Sequence, residues 1–451
     1  MRFNKGFWWL MLLVTSLFGA HMVNTDLRGD SMNYAAISNN ILHGNNPLIL
    51  TLNDNLYMNK PPLFFWVNAL FIKFFGATPF SVKLSTLLAA LAVTFFLYKI
   101  IKEILKDERS AVIAPFLFFT TYIVYKNTHM LKLETFVSAF MLGAVYFYLR
   151  FIKDKGSLNL ILVSIFSGLA VFSKGALGVV PVAAMFVFPV FCKNLLTFSY
   201  YSKMLLVAVL TVVIPGWWFW YIIGQTPFFE TFFISQMLDR VGDNAISMSG
   251  TTYFRRPVWA YLIYILKYGG LFIVLFPYGL YRLKKDGKIN TGVKFMLTLA
   301  VMYTVVIHFI TTREQRYLYQ FYMFFWFAGA YGVSVLIKKN YTPFLKYVSI
   351  GLLLFLVIYP GDLNWSTYGV LMDVNRIAEK NDIKVVAREP NLTDKSDKAA
   401  MSFYLRGYSS SPAGLERWIE VTDKHHRLND GDLLYSTRRI LVYLMRSEGA
   451  N

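Results

Sequence analysis

The sequence has few charged residues and very few acidic ones. Of its 451 residues, 26 are Asp or Glu and 45 are Lys or Arg, and together they make up 16% of the chain. A typical soluble domain carries about 25% charged residues. Hydrophobic residues make up 56% of the chain and aromatic residues 18%. This balance excludes a disordered chain and a soluble single-core enzyme, and it predicts an integral membrane protein.

Cysteine and histidine are also scarce. Cys192 is the only cysteine, which excludes an internal disulfide and a cysteine-based metal cluster. The six histidines are scattered without the spacing of a metal site. Neither a dinucleotide-binding glycine pattern nor a P-loop is present. No metal site can therefore be argued from the cysteine and the histidines, although a divalent metal stays open, and no nucleotide or redox cofactor is implied.

The net charge of +19 raises the question of a nucleic-acid partner. From residue 361 to residue 451 there are 13 basic and 13 acidic residues. The whole positive excess therefore lies in the apolar first 360 residues, where positive charge flanks apolar runs. This distribution excludes nucleic-acid binding and favours membrane topology as the cause of the charge.

Apolar runs long enough to cross a bilayer recur through the first 360 residues. About 17 to 25 such residues span the hydrocarbon core. The first run resembles a signal peptide, but the further runs favour an uncleaved span. We predict an all-α polytopic membrane protein with about eleven transmembrane helices. The runs lie at residues 7–23, 80–101, 110–126, 134–150, 157–173, 176–192, 204–222, 259–281, 292–312, 317–337 and 343–360.

Basic clusters orient these spans. Every second connection is rich in Lys and Arg, which predicts a cytoplasmic N-terminus in the inner membrane. The opposite, periplasmic side then holds two long loops, at residues 24–79 and 224–258, and the tail at 361–451. In the tail, patterns at 383–387 and 433–436 predict strands and the pattern at 398–405 predicts a helix. We therefore expect a small C-terminal α/β extracytoplasmic domain beside the transmembrane domain at 1–360.

Ten basic residues lie on the side that the topology predicts to be poor in Lys and Arg. A ring of cations at headgroup depth suits a lipid-borne phosphate, because Lys and Arg form charge-assisted hydrogen bonds with phosphate oxygens. The alternative is snorkelling, in which each residue only anchors a helix end. For the set as a whole we favour phosphate binding. The residues are Arg28, Lys60, Lys126, Lys132, Lys174, Arg240, Arg255, Arg256, Arg313 and Arg316.

Two acidic residues on the same side are candidate catalytic groups. Asp30 precedes a helical pattern from Ser31 to about Leu42, so it is either an N-cap or a general base at the lip of a membrane cavity. Glu134 begins the fourth span, where an acidic residue also suits the helix dipole. Further along the first loop, Lys60-Pro61-Pro62 opens an aromatic segment that ends at Gly76. That segment predicts a juxtamembrane helix with Lys60 held at its entry.

These motifs together resemble the GT-C superfamily of polyprenyl-phosphate-sugar-dependent glycosyltransferases. The resemblance is to the lipid A aminoarabinose transferases and the protein O-mannosyltransferases, and it covers about residues 1–340. It is carried by ordered matches. These are an Asp-led helix in the first loop, Tyr57-x-x-Lys60-Pro-Pro, Ser173-Lys174-Gly175, Pro215-Gly216-Trp217-Trp218, Phe228 to Arg240, Arg255-Arg256-Pro257 and Thr311-Thr312-Arg313 with Arg316-Tyr317.

The resemblance implies roles for individual residues. Asp30 matches the candidate catalytic carboxylate, and Glu134 stands where the family usually has a second acidic residue, an Asp. Lys60 matches the lysine that contacts the lipid phosphate, with Arg255, Arg256, Arg313 and Arg316 as helpers. Supporting roles fall to Tyr34, Tyr57, Lys174, Arg240 and Tyr317.

The sequence departs from this family at three further positions. Aminoarabinose transferases can hold a metal between a Glu before the Lys-Pro motif and a His in the second long loop, and here those positions are Asn59 and Met237. The usual Asp-Glu pair of the first loop is Asp30-Ser31. We therefore predict no such metal site, and neither aminoarabinose as the sugar nor lipid A as the acceptor follows from the resemblance.

The sequence therefore predicts an inverting enzyme that moves a sugar from a polyprenyl-phosphate donor, such as undecaprenyl phosphate, to a lipid, glycan or protein acceptor outside the cytoplasm. Lipid A modification and protein glycosylation in the cell envelope both fit. The alternative is a transporter or flippase of an anionic lipid or solute. Transporters usually have repeated halves and ionisable groups near the bilayer midplane, whereas here no repeat is evident and the polar residues gather at one face.

Overall fold

The structure is a computed structural model of the full chain. It describes the polypeptide in ranges that leave gaps at the N-terminus, in both long loops and in the C-terminal quarter. Arg28, Arg240 and most of the predicted span at 343–360 lie outside these ranges. The described residues are 5–19, 27, 29–44, 46–53, 55–235, 237–238, 241, 255–337, 343, 346–347, 350, 370–386, 395–405, 415, 417–423, 428, 432–436 and 440–446.

Helices dominate the first 340 residues, as the apolar runs predict. Three of them begin with side-chain caps: Asp107 accepts hydrogen bonds from the first turn of α5, Thr197 from α10 and Asn290 from α13. The helices are α1 Lys5–Gly19, α2 Asp30–His43, α3 Leu63–Phe75, α4 Pro79–Leu105, α5 Glu108–Thr120, α6 Tyr122–His129, α7 Leu133–Asp154, α8 Ser157–Lys174, α9 Val180–Val187, α10 Phe198–Gln225, α11 Ala260–Tyr268, α12 Phe272–Lys285, α13 Thr291–Phe309 and α14 Leu318–Leu336.

Within the described residues, five helices are long and apolar enough to cross a membrane, and the bent pair α11 and α12 would make a sixth. Three predicted single spans are interrupted. The run at 259–281 bends by 95° between α11 and α12, at Gly269-Gly270, where Gly270 has a φ of 53°. The run at 110–126 breaks at Thr121 between α5 and α6. The predicted total of about eleven spans stays a prediction.

The third interrupted run, at 176–192, contains two prolines. It forms 3₁₀ turns at Ala176–Val179 and Phe188–Phe191 on either side of the short helix α9. Pro181 and Pro189 stand in the first turns of α9 and of the second 3₁₀ segment. Proline is tolerated there because those N–H groups have no intrahelical partner.

One compact unit comprises residues 1–18, 58–64 and 86–354. In it α7 packs on α8, α8 on α10, and α14 on α5, α12 and α13. Gly279 of α12 allows a close helix contact, because a Cβ there would lie 1.8 Å from the carbonyl oxygen of Ala328 in α14. Small residues at such crossings are typical of membrane helix packing. This unit carries most of the predicted site residues.

The other compact unit comprises residues 19–57, 65–85 and 355–451. It holds α2, a short antiparallel hairpin of β1 (Thr51–Leu52) and β2 (Asn55–Leu56), and most of α3. Helix α3 confirms the helix predicted after Lys60-Pro61-Pro62, and Gly76 follows its end with a φ of 78°.

The described residues of the C-terminal part of this unit form two helices and four strands. They form a sheet of order β3-β4-β6-β5, in which β3 and β4 are parallel and the other pairs antiparallel. The strands predicted near 383–387 and 433–436 are present, and the helix predicted at 398–405 begins earlier. That the tail forms a separate extracytoplasmic domain stays a prediction. The elements are α15 Val370–Asn381, β3 Lys384–Val386, α16 Lys395–Tyr404, β4 Arg417–Asp423, β5 Asp432–Ser436 and β6 Ile440–Arg446.

Candidate functional site

A cavity of about 350 Å³ lies in the unit that contains residues 86–354. Its polar wall consists of Lys60, Lys174 and Tyr317, all three of which the sequence analysis selected. A largely apolar pocket with two ammonium groups in its wall suits an anionic head on an apolar body. The rest of the wall is apolar: Ala176, Leu177, Phe232, Met237, Val241, Val306, Phe309 and Ile310.

Local chain geometry places Lys174 at this wall. Lys174 is the last residue of α8, and Gly175 follows it with a φ of 82° and a ψ of −138°, a conformation open mainly to glycine. A Cβ at position 175 would also lie 2.7 Å from Cζ of Phe232. Gly175 therefore lets the chain turn sharply into the next 3₁₀ segment while Phe232 packs against it.

A buried ion pair holds Lys174. Its Nζ lies 3.0 Å from Oε1 of Glu134, and the two side chains are 7% and 3% exposed. The ammonium also lies 5.7 Å from the centre of the Tyr317 ring. Within the described residues, the bond to Glu134 uses one of the three donors of this ammonium. The other two donors are available to a ligand in the cavity.

Glu134 therefore acts as the counter-ion of Lys174. Arg316 and Lys132 add further positive charge around its carboxylate. A carboxylate held this way is a poor proton acceptor, because the neighbouring cations stabilise its charged form. Glu134 thus holds the Lys174 ammonium in place, and its predicted catalytic role stays a prediction.

Gln320 is a buried residue beside Glu134 that the sequence analysis did not select. Its side-chain amide donates to the carbonyl oxygen of Glu134 at 3.2 Å and to Oγ of Ser138 at 3.0 Å. The hydroxyl of Tyr303 bonds both Oε1 of Gln320 at 3.0 Å and the carbonyl oxygen of Tyr317 at 2.8 Å. These bonds tie the start of α7 to α13 and α14. An isolated Gln in an otherwise apolar helix was the available signal.

Arg256 and Arg313 bind the main chain. Arg256 donates to the carbonyl oxygen of Thr312 at 2.6 Å. Arg313, with a φ of 38°, donates to the carbonyl oxygens of Arg256, Thr311 and His308. These guanidinium groups join the segment before α11 to the chain that follows α13, where positive charge also suits the helix C-terminus. Their predicted phosphate-binding role stays a prediction.

The other predicted cations of this region are placed differently. Nε of Arg316 lies 2.6 Å from a carboxylate oxygen of Glu314. Arg255 is half-buried, and its side chain makes no hydrogen bond or ion pair to the described residues. Within the described ranges, the guanidinium donors of Arg255 are therefore left for a ligand.

Asp30 lies in the other compact unit, at the first turn of α2. The expectation that Asp30 caps this helix is wrong, because the N-cap is Gly29, with a φ of 53°, and no side chain makes a capping hydrogen bond. The backbone N–H groups of Met32 and Asn33 bond the Gly29 carbonyl instead. The supporting residues Tyr34 and Tyr57 each contact the Phe65 ring edge-on, with centroids 5.6 Å apart.

Asn59 and Met237, the two positions at which the resemblance implies metal ligands, carry poor ligands here. Met237, a thioether, lines the cavity with Lys60, and Asn59 precedes Lys60. An amide and a thioether are a weak donor set for Mg²⁺, Ca²⁺ or Zn²⁺. Within the described residues, no group of three or more His, Cys, Asp or Glu side chains is placed to hold a metal. The residues present do not fit such an ion.

Comparison with known sequences agrees with the resemblance. The family model for dolichyl-phosphate-mannose-protein mannosyltransferases matches residues 59–220. An undecaprenyl phosphate-alpha-4-amino-4-deoxy-L-arabinose arabinosyl transferase of Erwinia tasmaniensis is 22% identical over 302 residues, covering 64% of this chain and 53% of that protein. An uncharacterized protein of Aquifex aeolicus is 26% identical over 204 residues, covering 44% and 40% respectively. The chain spans about half the length, or less, of these curated relatives.

Comparison with solved structures establishes the fold. ArnT from Cupriavidus metallidurans bound to undecaprenyl phosphate superposes with a TM-score of 0.72 at 14% identity, covering 98% of both chains. The apo oligosaccharyltransferase of Archaeoglobus fulgidus gives a TM-score of 0.53 at 14% identity, covering 92% of this chain and 70% of that one. The chain thus has the fold of these two solved proteins. The predicted similarity to the aminoarabinose transferases is confirmed.

Proposed function

We propose that this protein is an integral membrane glycosyltransferase that uses a polyprenyl-phosphate-linked sugar as donor. The observation that carries the proposal is the cavity wall of Lys60, Lys174 and Tyr317 in an otherwise apolar pocket. It occurs in a chain whose fold matches, over 98% of its length, a protein solved with undecaprenyl phosphate. The curated relatives named as arabinosyl transferases support the same class of reaction.

The donor phosphate binds at the two lysines. Lys60 and the two remaining donors of Lys174 form charge-assisted hydrogen bonds to the phosphate oxygens, and the apolar wall receives the first part of the polyprenyl chain. Arg255 adds a cation with no described partner. Positive potential around the phosphate also comes from Arg256, Arg313 and Arg316. This potential stabilises the charge that develops on the departing phosphate.

Asp30 is the general base of the transfer. It accepts the proton of the acceptor hydroxyl or amine while the acceptor atom attacks the anomeric carbon from the face opposite the phosphate. A bond forms between the acceptor and the anomeric carbon, and the bond from that carbon to the phosphate oxygen breaks. Polyprenyl phosphate leaves with the electron pair, and the anomeric centre is inverted.

The basic clusters place the N-terminus in the cytoplasm and the reaction at the opposite face of the inner membrane. Nucleotide sugars are absent from that side, which accounts for a donor built on a membrane lipid. The acceptor is a lipid, a glycan or a protein. The chain differs from the aminoarabinose transferases at Ser31, Asn59 and Met237, which replace polar or charged residues. The identities of the sugar and of the acceptor are therefore not inferred from those relatives.

The test is a transfer assay in proteoliposomes with a radiolabelled polyprenyl-phosphate sugar and an envelope extract as acceptor. We expect transfer by the wild type and at least a hundredfold slower transfer by Asp30→Asn, since general-base catalysis contributes about 10²- to 10⁴-fold. Undiminished transfer by this variant would remove Asp30 as the base. Movement of the labelled lipid between leaflets without any transfer would instead support the transporter alternative.

A further inference from the structure

Helix α2, which begins with Asp30, has a sequence that does not favour a helix by itself. Its 14 residues include two serines and three asparagines, which have weak helix propensity. Isolated helices of this length are marginal in water even with good helix formers. The helix is nevertheless buried at nearly every position from Ser31 to Asn39. Its conformation and its position therefore come from the elements that pack around it.

Three elements of the same compact unit support α2. Tyr34 packs edge-on against Phe65 of α3. The side-chain amide of Asn40 donates to the carbonyl oxygen of Thr51 in β1 at 3.3 Å. The third support comes from the C-terminal part of the chain, where α16 packs directly along α2.

The contact with α16 is buried and specific. The side-chain amide of Asn39 donates to the main-chain carbonyl oxygen of Phe403 at 3.3 Å. Phe403 lies in the last turn of α16, where carbonyl groups have no intrahelical partner. Asn39 and Phe403 are 5% and 1% exposed, and the neighbouring Ala399, Ala400 and Met401 of α16 are fully buried. The interface between the two helices is thus closed to solvent.

We propose that the C-terminal segment is a positioning element for the catalytic carboxylate, with α16 holding α2 and thereby Asp30. This inference rests on the proposed role of Asp30. Asp30 is the first residue of α2 and the N-cap is a glycine, which has no side chain to cap the helix, so the position of the helix body contributes directly to the location of Asp30. Asn39 lies nine residues, about 13 Å along the helix axis, from Asp30. A loss of the α16 contact at that end therefore tilts the end that carries the carboxylate.

The chain offers a matched pair of variants for the test. Asn39→Ala removes the bond to α16, whereas Asn40→Ala removes a bond of the same length to β1. In the full-length protein we expect Asn39→Ala to speed amide hydrogen exchange in α2 and to leave exchange in α14 unchanged. We further expect it to lower kcat at least fivefold at an unchanged KM for the donor. Asn40→Ala should lower kcat less than twofold.

Each result decides between the inference and its failure. Unchanged exchange in α2 of Asn39→Ala would overturn the proposal, and so would faster exchange with an unchanged kcat. Equal losses of kcat in both variants would also overturn it, because the effect would then not be specific to α16. If Asp30→Asn keeps full activity, the proposed catalytic role fails instead. The exchange measurement still reports, in that case, whether α16 holds α2.

Discussion

Two pairs of charged residues selected from the sequence differ in what they bind. Glu134 and Lys174 pair with each other and are almost fully buried, and Lys174 lines the cavity. Arg256 and Arg313 instead donate to main-chain carbonyl oxygens, namely those of Thr312, His308 in the last turn of α13, and Arg256. The first pair leaves ammonium donors for a ligand, and the second uses its donors to hold two chain segments together. Basic residues at the same predicted membrane face can therefore have different roles, in ligand binding or in joining segments of the chain.

Breaking the buried pair has the largest expected effect. Lys174→Met leaves the Glu134 carboxylate buried without its partner, and the loss of unfolding free energy should be about 3–5 kcal/mol. The double variant Glu134→Gln, Lys174→Met removes both charges and should recover most of this loss. Thermal unfolding of the purified protein in detergent measures both.

The double variant also separates stability from function. It should fold but bind polyprenyl phosphate more weakly, because the Lys174 ammonium is absent. The losses of unfolding free energy in the single variants Lys174→Met and Glu134→Gln can be added and compared with the loss in the double variant. If the two values are equal, the two side chains are not a coupled pair. If it binds the lipid as tightly as the wild type, Lys174 does not contact the phosphate.

We call the bonds of Arg256 and Arg313 to main-chain carbonyl oxygens the arginine clamp. Removing this clamp should have a smaller effect than breaking the buried ion pair, and the effect should be mainly on stability. Arg313→Ala loses bonds to three carbonyl oxygens, and because the side chain is only part-buried we expect a loss of about 2–3 kcal/mol in unfolding free energy. Arg313→Lys should not restore it, since an ammonium lacks the planar fork of donors. Arg255→Ala, whose side chain has no described partner, is the control and should change stability by less than about 0.5 kcal/mol.

The affinity of these arginine variants for polyprenyl phosphate tests whether Arg313 mainly holds the chain or binds the phosphate. We expect Arg313→Ala to retain most of the affinity for polyprenyl phosphate at a temperature where it is folded. A large loss of affinity without any loss of stability would contradict the clamp and favour the phosphate role predicted from the sequence.

A change at Gly175 tests how Lys174 is placed. Gly175→Ala adds a Cβ where φ is 82° and where Cζ of Phe232 would be 2.7 Å away. We expect a loss of about 1–2 kcal/mol in stability and weaker donor binding, since Lys174 and Phe232 both line the cavity. Gly216→Ala in α10 is the control, because a Cβ there meets nothing within 4 Å. Equal behaviour of the two variants would show that the turn after α8 does not position the lysine.

The smallest effect is expected at Met237, the position at which the resemblance implies a metal ligand. Met237→Leu conserves volume and should change stability by less than about 1.5 kcal/mol, and transfer by the wild type should be insensitive to EDTA. Initial rates of sugar transfer with and without the chelator provide the measurement. Loss of activity in EDTA that is restored by a divalent ion would contradict the absence of a metal requirement.

The sequence predicted which segments are helical, the helix after Lys60-Pro61-Pro62 and two strands of the tail, because apolar periodicity and turn residues are local signals. It did not predict the 95° bend at Gly269-Gly270, since two glycines permit a turn but tertiary packing decides whether it forms. The Glu134–Lys174 pair joins residues 40 positions apart on two helices, and only their packing brings them together. The clamp by Arg313 depends on the positions of backbone carbonyl groups. These positions cannot be predicted from residue type, because every residue carries the same carbonyl group.

The affinity for undecaprenyl phosphate of wild-type protein and of Lys60→Gln tests the central claim most directly. Lys267→Gln, which removes an exposed lysine of α11, is the matched control for loss of one positive charge. A hydrogen bond to a charged group contributes about 1.5–3 kcal/mol, which corresponds to roughly ten- to a hundredfold in affinity. We predict that loss for Lys60→Gln and an unchanged affinity for Lys267→Gln. Equal affinities of all three proteins would contradict a phosphate site at the cavity.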